Sequence, residues 1–120
     1  METTTTSRFA HIKLTGELQL RGGPHLILQN FRQLCTAIES KILDANLKKQ
    51  DIEVNRQTVT SLQRRITEET NKKKGCKRLT NNLTDKKRAR ERDGSRMQNE
   101  LILMQAEIST QIDVLETFLN

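Results

Sequence analysis

Ten cationic residues, Lys72, Lys73, Lys74, Lys77, Arg78, Lys86, Lys87, Arg88, Arg90 and Arg92, crowd into a single stretch and carry the strongest chemical signal in the chain. Arg96 extends the stretch, and only Asp85, Glu91 and Asp93 oppose it, so residues 72–96 sum to +8. Four chemistries fit such a block. It can neutralise phosphates of a nucleic acid, with affinity that falls steeply as salt rises. It can grip an acidic protein surface, an acidic filament such as the microtubule being one example. Lys87-Arg88-Ala89-Arg90 fits a loose nuclear-import pattern. The plainest alternative is a solvated face of a long helix. The only aromatic residues are Phe9, Phe31 and Phe118, so the block has no interleaved rings on which single-stranded bases could stack. Arg64-Arg65-Ile66-Thr67 and Lys77-Arg78-Leu79-Thr80 each place a threonine after two cations and a spacer, a spacing that basic-directed kinases read.

Other constellations are missing. Cys35 and Cys76 are too few for a disulfide scaffold, and His11 and His25 are not at ligand spacing from either. Gly22-Gly23 is not followed by the Gly-Lys-Ser/Thr of a phosphate loop. No nucleophile lies beside a base, and the acids are scattered. Catalytic, metal-binding and cofactor-binding residues are therefore all expected to be absent, and the chain reads as a non-enzyme. Asn82-Leu83-Thr84 matches the glycosylation pattern, but METTTTSRFA lacks the apolar stretch of a secretory leader, so the match reads as accidental and the chain as intracellular.

Composition agrees. The 120 residues are 33% hydrophobic and 30% charged, with a mean hydropathy of −0.72. That is well below the usual apolar share of roughly 45–50%. Little is left to wall a catalytic pocket, and no stretch approaches the roughly 20 apolar residues of a membrane span. One proline and five glycines also argue against a loop-rich chain. Charge is polarised along the sequence: residues 97–120 hold no cation and carry −4, while the first 71 residues sum to +2.

The elements that must position the block are helices. With Ile52 at position a of a heptad, the core positions run Ile52, Asn55, Val59, Leu62, Ile66. Backward, the same frame gives Ile27, Phe31, Leu34 and Ile38, then weakens at Lys41, Ala45 and Lys48. Beyond the basic block it reaches Met97, Leu101, Met104, Ile108, Gln111, Leu115 and Phe118. A single apolar stripe cannot be buried by one helix alone, so these residues are expected to form a seam with a partner helix. Asn55 and Gln111 would fix register at some cost in stability. Ile112 and Val114 widen the terminal stripe, favouring a three- or four-helix assembly there. Arg56, Thr58, Gln63 and Arg65 flank the first seam and suit a hetero-partner bearing acids.

Frame agreement across the block favours one continuous or gently broken helix, which would reach about 140 Å at 1.5 Å per residue. A helical hairpin bent near Gly75 or Gly94 is the rival, supported by Asn81-Asn82 and by the capping-box pattern from Ser95 to Gln98. Ahead of Pro24, Ile12, Leu14, Leu18 and Leu20 alternate with polar residues about Thr15-Gly16. This predicts a weak β-hairpin or an extended arm following a solvated Thr-rich tail over residues 1–7.

The sequence thus predicts an all-α fold, an elongated coiled-coil rod or broken long helix with an extended or weakly β-hairpin N-terminal arm. Its segments are an arm over 1–23, a coiled-coil segment over 24–70, a basic polar middle or bend over 71–94 and an acidic-apolar coiled-coil segment over 95–120. The expected function is that of a non-enzymatic scaffold subunit of a cytoskeletal, ciliary or tethering assembly. It would pack with other coiled-coil proteins as a hetero-oligomer, in the cytoplasm or on the cytoskeleton, and lay its basic patch on an acidic surface. The alternative is a nuclear, nucleic-acid-associated coiled-coil protein of chromatin or a ribonucleoprotein.

Overall fold

The computed structural model describes residues 2–120, with side chains from Thr5 onward. Three helices make up almost all of it: α1 (Glu2–Leu20), α2 (His25–Thr70) and α3 (Lys77–Glu116), followed by one 3-10 turn, Thr117–Leu119. No strand occurs among the described residues. The all-α expectation holds, whereas the β-hairpin or extended arm is corrected to a helix.

The correction has a physical cause in how the apolar residues of the arm are spaced. Phe9, Ile12, Gly16 and Leu20 stand three, four and four apart, the spacing of one helix face. Phe9, Ile12 and Gly16 are buried along that face. Leu14 and Leu18, which supply the period-two pattern, are 63% and 64% exposed. Gly16 does not make a turn. It sits inside α1, where a Cβ would run into the ring of Phe31. Of the Thr-rich run over residues 1–7, Met1 lies outside the described residues, and α1 begins at Glu2. Gly23 N–H donates to the Leu20 carbonyl at 3.0 Å, and the Pro24 carbonyl accepts from Ile27 and Leu28 N–H. Pro24 thereby opens α2, where its missing N–H costs nothing.

A single helix from residue 24 to residue 119 is likewise corrected. The chain leaves α2 at Thr70 and re-enters a helix at Lys77, so the bend near Gly75 is the one realised. Gly94 breaks nothing, because α3 runs through it and through the capping pattern at Ser95–Gln98. The glycine instead admits a neighbour: a Cβ there would lie 2.7 Å from Asn55 Nδ2.

The chain divides into two units. The first, Met1–Ala45 with Leu103–Asn120, brings α1 against the first part of α2 and the end of α3. Phe31, Ile38, Ile112 and Leu115 are fully buried there, with Phe9, Ile12, Leu28, Cys35, Ala45 and Ile108 around them. Phe31 and Phe118 meet edge to face with centroids 5.8 Å apart. Ion pairs border this core. Arg8 bridges Asp113 and Glu116, each at 2.7 Å, and Arg32 holds Glu17 at 2.7 Å. Lys13 pairs with Glu39, and Lys41 with Glu107. Of the two residues that widen the terminal stripe, Ile112 is fully buried and Val114 is half-exposed.

The second unit, Asn46–Ile102, is an antiparallel helical hairpin. Lys48 Nζ meets Glu100 Oε2 at 2.6 Å, and, closer to the bend, Asn55 Nδ2 donates to the Arg90 carbonyl at 2.8 Å. Leu62 and Leu83 are the buried hydrophobic residues nearest the bend.

Candidate functional site

Ile27 is exposed, but the other apolar heptad positions face inward, toward other helices of the same chain. Within the second unit Ile52, Asn55, Val59, Leu62 and Ile66 of α2, and Met97 and Leu101 of α3, are buried or half-buried. Met104, Ile108, Leu115 and Phe118 do the same in the first unit. Two lengths of one chain thus supply each other's seam, and α1 closes it in the first unit. The seam expected to meet a partner helix is thus partly covered within the chain, with Ile52, Val59, Ile66, Met97, Leu101, Met104 and Phe118 half-buried. Uncovered apolar residues remain on α2: Leu26, Ile27 and Leu43 in the first unit, and Leu47 and Val54 in the second.

The basic block lies at the bend and on α3, entirely in the second unit. The bend is wound around Glu69, a residue only 7% exposed. Its Oε1 accepts the N–H of Cys76 at 2.8 Å, and its Oε2 accepts Lys72 Nζ at 3.0 Å. The hydrogen bond from Cys76, then that from Lys72, holds this carboxyl below its ordinary pKa. Glu69 therefore satisfies one of the backbone donors that every helix leaves open at its N-terminus. The Lys72 N–H donates to the Glu69 carbonyl, and the Gly75 N–H to the Lys72 carbonyl, both at 3.3 Å. A Cβ on Gly75 would strike the Glu69 carbonyl oxygen, so only glycine fits this close return of the chain. Glu69 was not singled out in the sequence. The available signal was a carboxylate on a seam position just ahead of a glycine-containing polar run.

Cations of the block differ in what they meet. Lys72 is tied to Glu69, and Lys87 reaches Glu91 at 4.0 Å. Lys73, Lys74, Lys77, Arg78, Lys86, Arg88, Arg90 and Arg92 are exposed and make no ion pair among the described residues. Arg90 is drawn into the fold only through its carbonyl. The acids of residues 97–120 contrast with this. Glu100, Glu107, Asp113 and Glu116 each engage a cation from α1 or α2. The negative end of the sequence is therefore neutralised inside the chain, and the positive middle is not.

The remaining reactive groups are quiet. Cys35 is buried, and desolvation pushes its thiol up to about 11, whereas Cys76 is exposed at the bend. The hydroxyls of Thr67 and Thr80 donate to the carbonyls four residues back, Gln63 and Cys76. Among the described residues no cluster of His, Cys, Asp and Glu could hold a metal ion. Among the described residues no helix is long and apolar enough to cross a membrane.

No protein-family model, curated protein or solved structure matches the chain.

Proposed function

We propose that the chain is a non-enzymatic structural subunit that docks the basic bend and outer face of α3 onto an acidic surface of a larger assembly. One observation carries this reading: the acids of 97–120 are paired internally, while eight clustered cations are left without partners. Exposed, unpaired charge contributes nothing to packing and raises the self-repulsion of the fold. Its natural use is an external anion. Cytoskeletal, ciliary or tethering assemblies offer acidic surfaces, and the nucleic acid of chromatin or a ribonucleoprotein offers one made of phosphates. A coiled-coil partner would use apolar residues outside the heptad seam, of which Leu47 and Val54 are an exposed pair on α2.

The test is retention of the intact chain on polyanion-coated beads of two kinds, polyglutamate and nucleic acid. Beside it runs the quadruple variant Lys73→Gln, Lys74→Gln, Arg88→Gln and Arg92→Gln. All four positions are exposed, so the variant should keep its helical circular dichroism and lose retention. Wild-type protein that binds neither polyanion at low salt would end this reading.

A further inference from the structure

The outer face of α3 is specific in what it lacks. At ~100° per residue, Lys77, Arg78, Asn81, Asp85, Arg88 and Arg92 fall within about a third of the helix circumference. All six are exposed, on the side of α3 away from Leu83 and Gly94. This stripe spans ~22 Å along the axis at 1.5 Å per residue. The bend adds Lys73 and Lys74 at its near end. Asp85 is the lone acid of the stripe; Glu91 and Asp93 point elsewhere and pair with Lys87 and Arg96.

No apolar or aromatic residue falls within the stripe. A folded protein partner binds through a desolvated centre anchored by aromatic or aliphatic side chains, with charges at the rim. A face made only of Lys, Arg, Asn and Asp has no such centre. Nucleic acid differs: half or more of its protein contacts go to phosphate and sugar, and phosphate neutralisation alone supplies affinity. Single strands need aromatic platforms for their bases, and the second unit, Asn46–Ile102, contains no Phe, Tyr or Trp. A duplex presents its phosphates on a rigid track and asks for nothing else.

We infer that the stripe Lys77–Arg78–Arg88–Arg92, with Lys73 and Lys74 of the bend, is a contact for the phosphate backbone of duplex nucleic acid, bound without base recognition. This rests on the reading that the basic block docks externally, and it names the partner class.

The experiment measures binding of the full chain to a fluorescent 20-base-pair duplex by anisotropy, from 50 to 200 mM salt. The same measurement is made with a single strand and with polyglutamate of matched charge. Six phosphate contacts give a slope of log K on log salt near −5, so affinity should fall about a thousand-fold over that range. The double variant Arg88→Gln, Arg92→Gln should flatten the slope by about two. Scrambling the duplex sequence should change nothing. Polyglutamate or the single strand bound as tightly as the duplex would overturn the duplex assignment while leaving the docking reading intact. Absence of binding to all three would overturn both. A slope unchanged in the double variant would show that binding lies elsewhere on the chain. As a check on folding, the variant's thermal midpoint should match the wild type, because neither arginine makes an ion pair among the described residues.

Discussion

Gly94→Ala should destabilise the protein even though alanine is the better helix former. In an exposed helix interior that exchange favours folding by about 1 kcal/mol. Here the new methyl would lie 2.7 Å from Asn55 Nδ2, so the Asn55 amide has to leave. Asn55 is 8% exposed and donates to the Arg90 carbonyl at 2.8 Å. Its displacement forfeits a hydrogen bond worth about 1 kcal/mol and strands a buried amide at a further cost of about 1–3 kcal/mol. The net loss is then about 1–3 kcal/mol after the helix gain is subtracted. In an Asn55→Ala background the obstacle is gone, and Gly94→Ala should instead stabilise by about 1 kcal/mol. The four proteins form a double-mutant cycle with an expected coupling of about 2–4 kcal/mol. Urea unfolding followed at 222 nm gives each value, provided the denaturant slope stays constant across the set. If Gly94→Ala stabilises wild type and Asn55→Ala alike, with no coupling, then α2 and α3 do not approach closely at this point and the hairpin register is wrong.

Three other perturbations test separate parts of the structure. Glu69 has a lowered pKa in the fold, so its contribution is present above the unfolded carboxyl value near 4.3 and is lost as pH falls through the folded value. Glu69→Gln should therefore show a shallower loss of stability between pH 5 and pH 2 than wild type, and identical acid limbs would refute the role given to this carboxylate. With an excess of a thiol reagent at pH 7.5, Cys76 should react at once. Cys35 should wait for unfolding, and two equally fast thiols would contradict its burial. Phe31→Ala removes a fully buried ring and its edge-to-face partner, at a cost of about 3–5 kcal/mol; a loss below about 1 kcal/mol in urea unfolding would mean that the three helices of the first unit do not share one core.

The heptad frame carried more of the fold than its own conclusion did. Its inward positions from Phe31 to Phe118 include most of the buried residues of α2 and α3, the polar Asn55 among them. Periodicity reports which face of a helix is buried and is silent on what buries it. An antiparallel partner in the same chain and a helix from another chain leave the same stripe, so the two-helix seam was legible and its partner was not. The arm failed for a sharper reason. Ile12 belongs both to the alternating set with Leu14 and Leu18 and to the helical set with Phe9 and Gly16, and a glycine is invisible to a count of apolar residues. Only Phe31, the seventh residue of α2, reveals that Gly16 is a contact site.

Glycine makes the same point three times over. Gly16, Gly75 and Gly94 each read as a break when composition alone is considered, yet only Gly75 lies at a change of direction. What separates them is the partner. Gly16 receives a ring and Gly94 an amide, both from another helix, while Gly75 receives the carbonyl of Glu69 from its own bend. A glycine amid helix-forming residues therefore marks where something comes close, and the identity of the intruder decides whether the helix continues. The basic block escapes this ambiguity because its residues contact almost nothing. Charge that no fold requires can be read from sequence as readily as from structure, and the fold adds what sequence lacks: which cations are spent within the chain and which are left to bind.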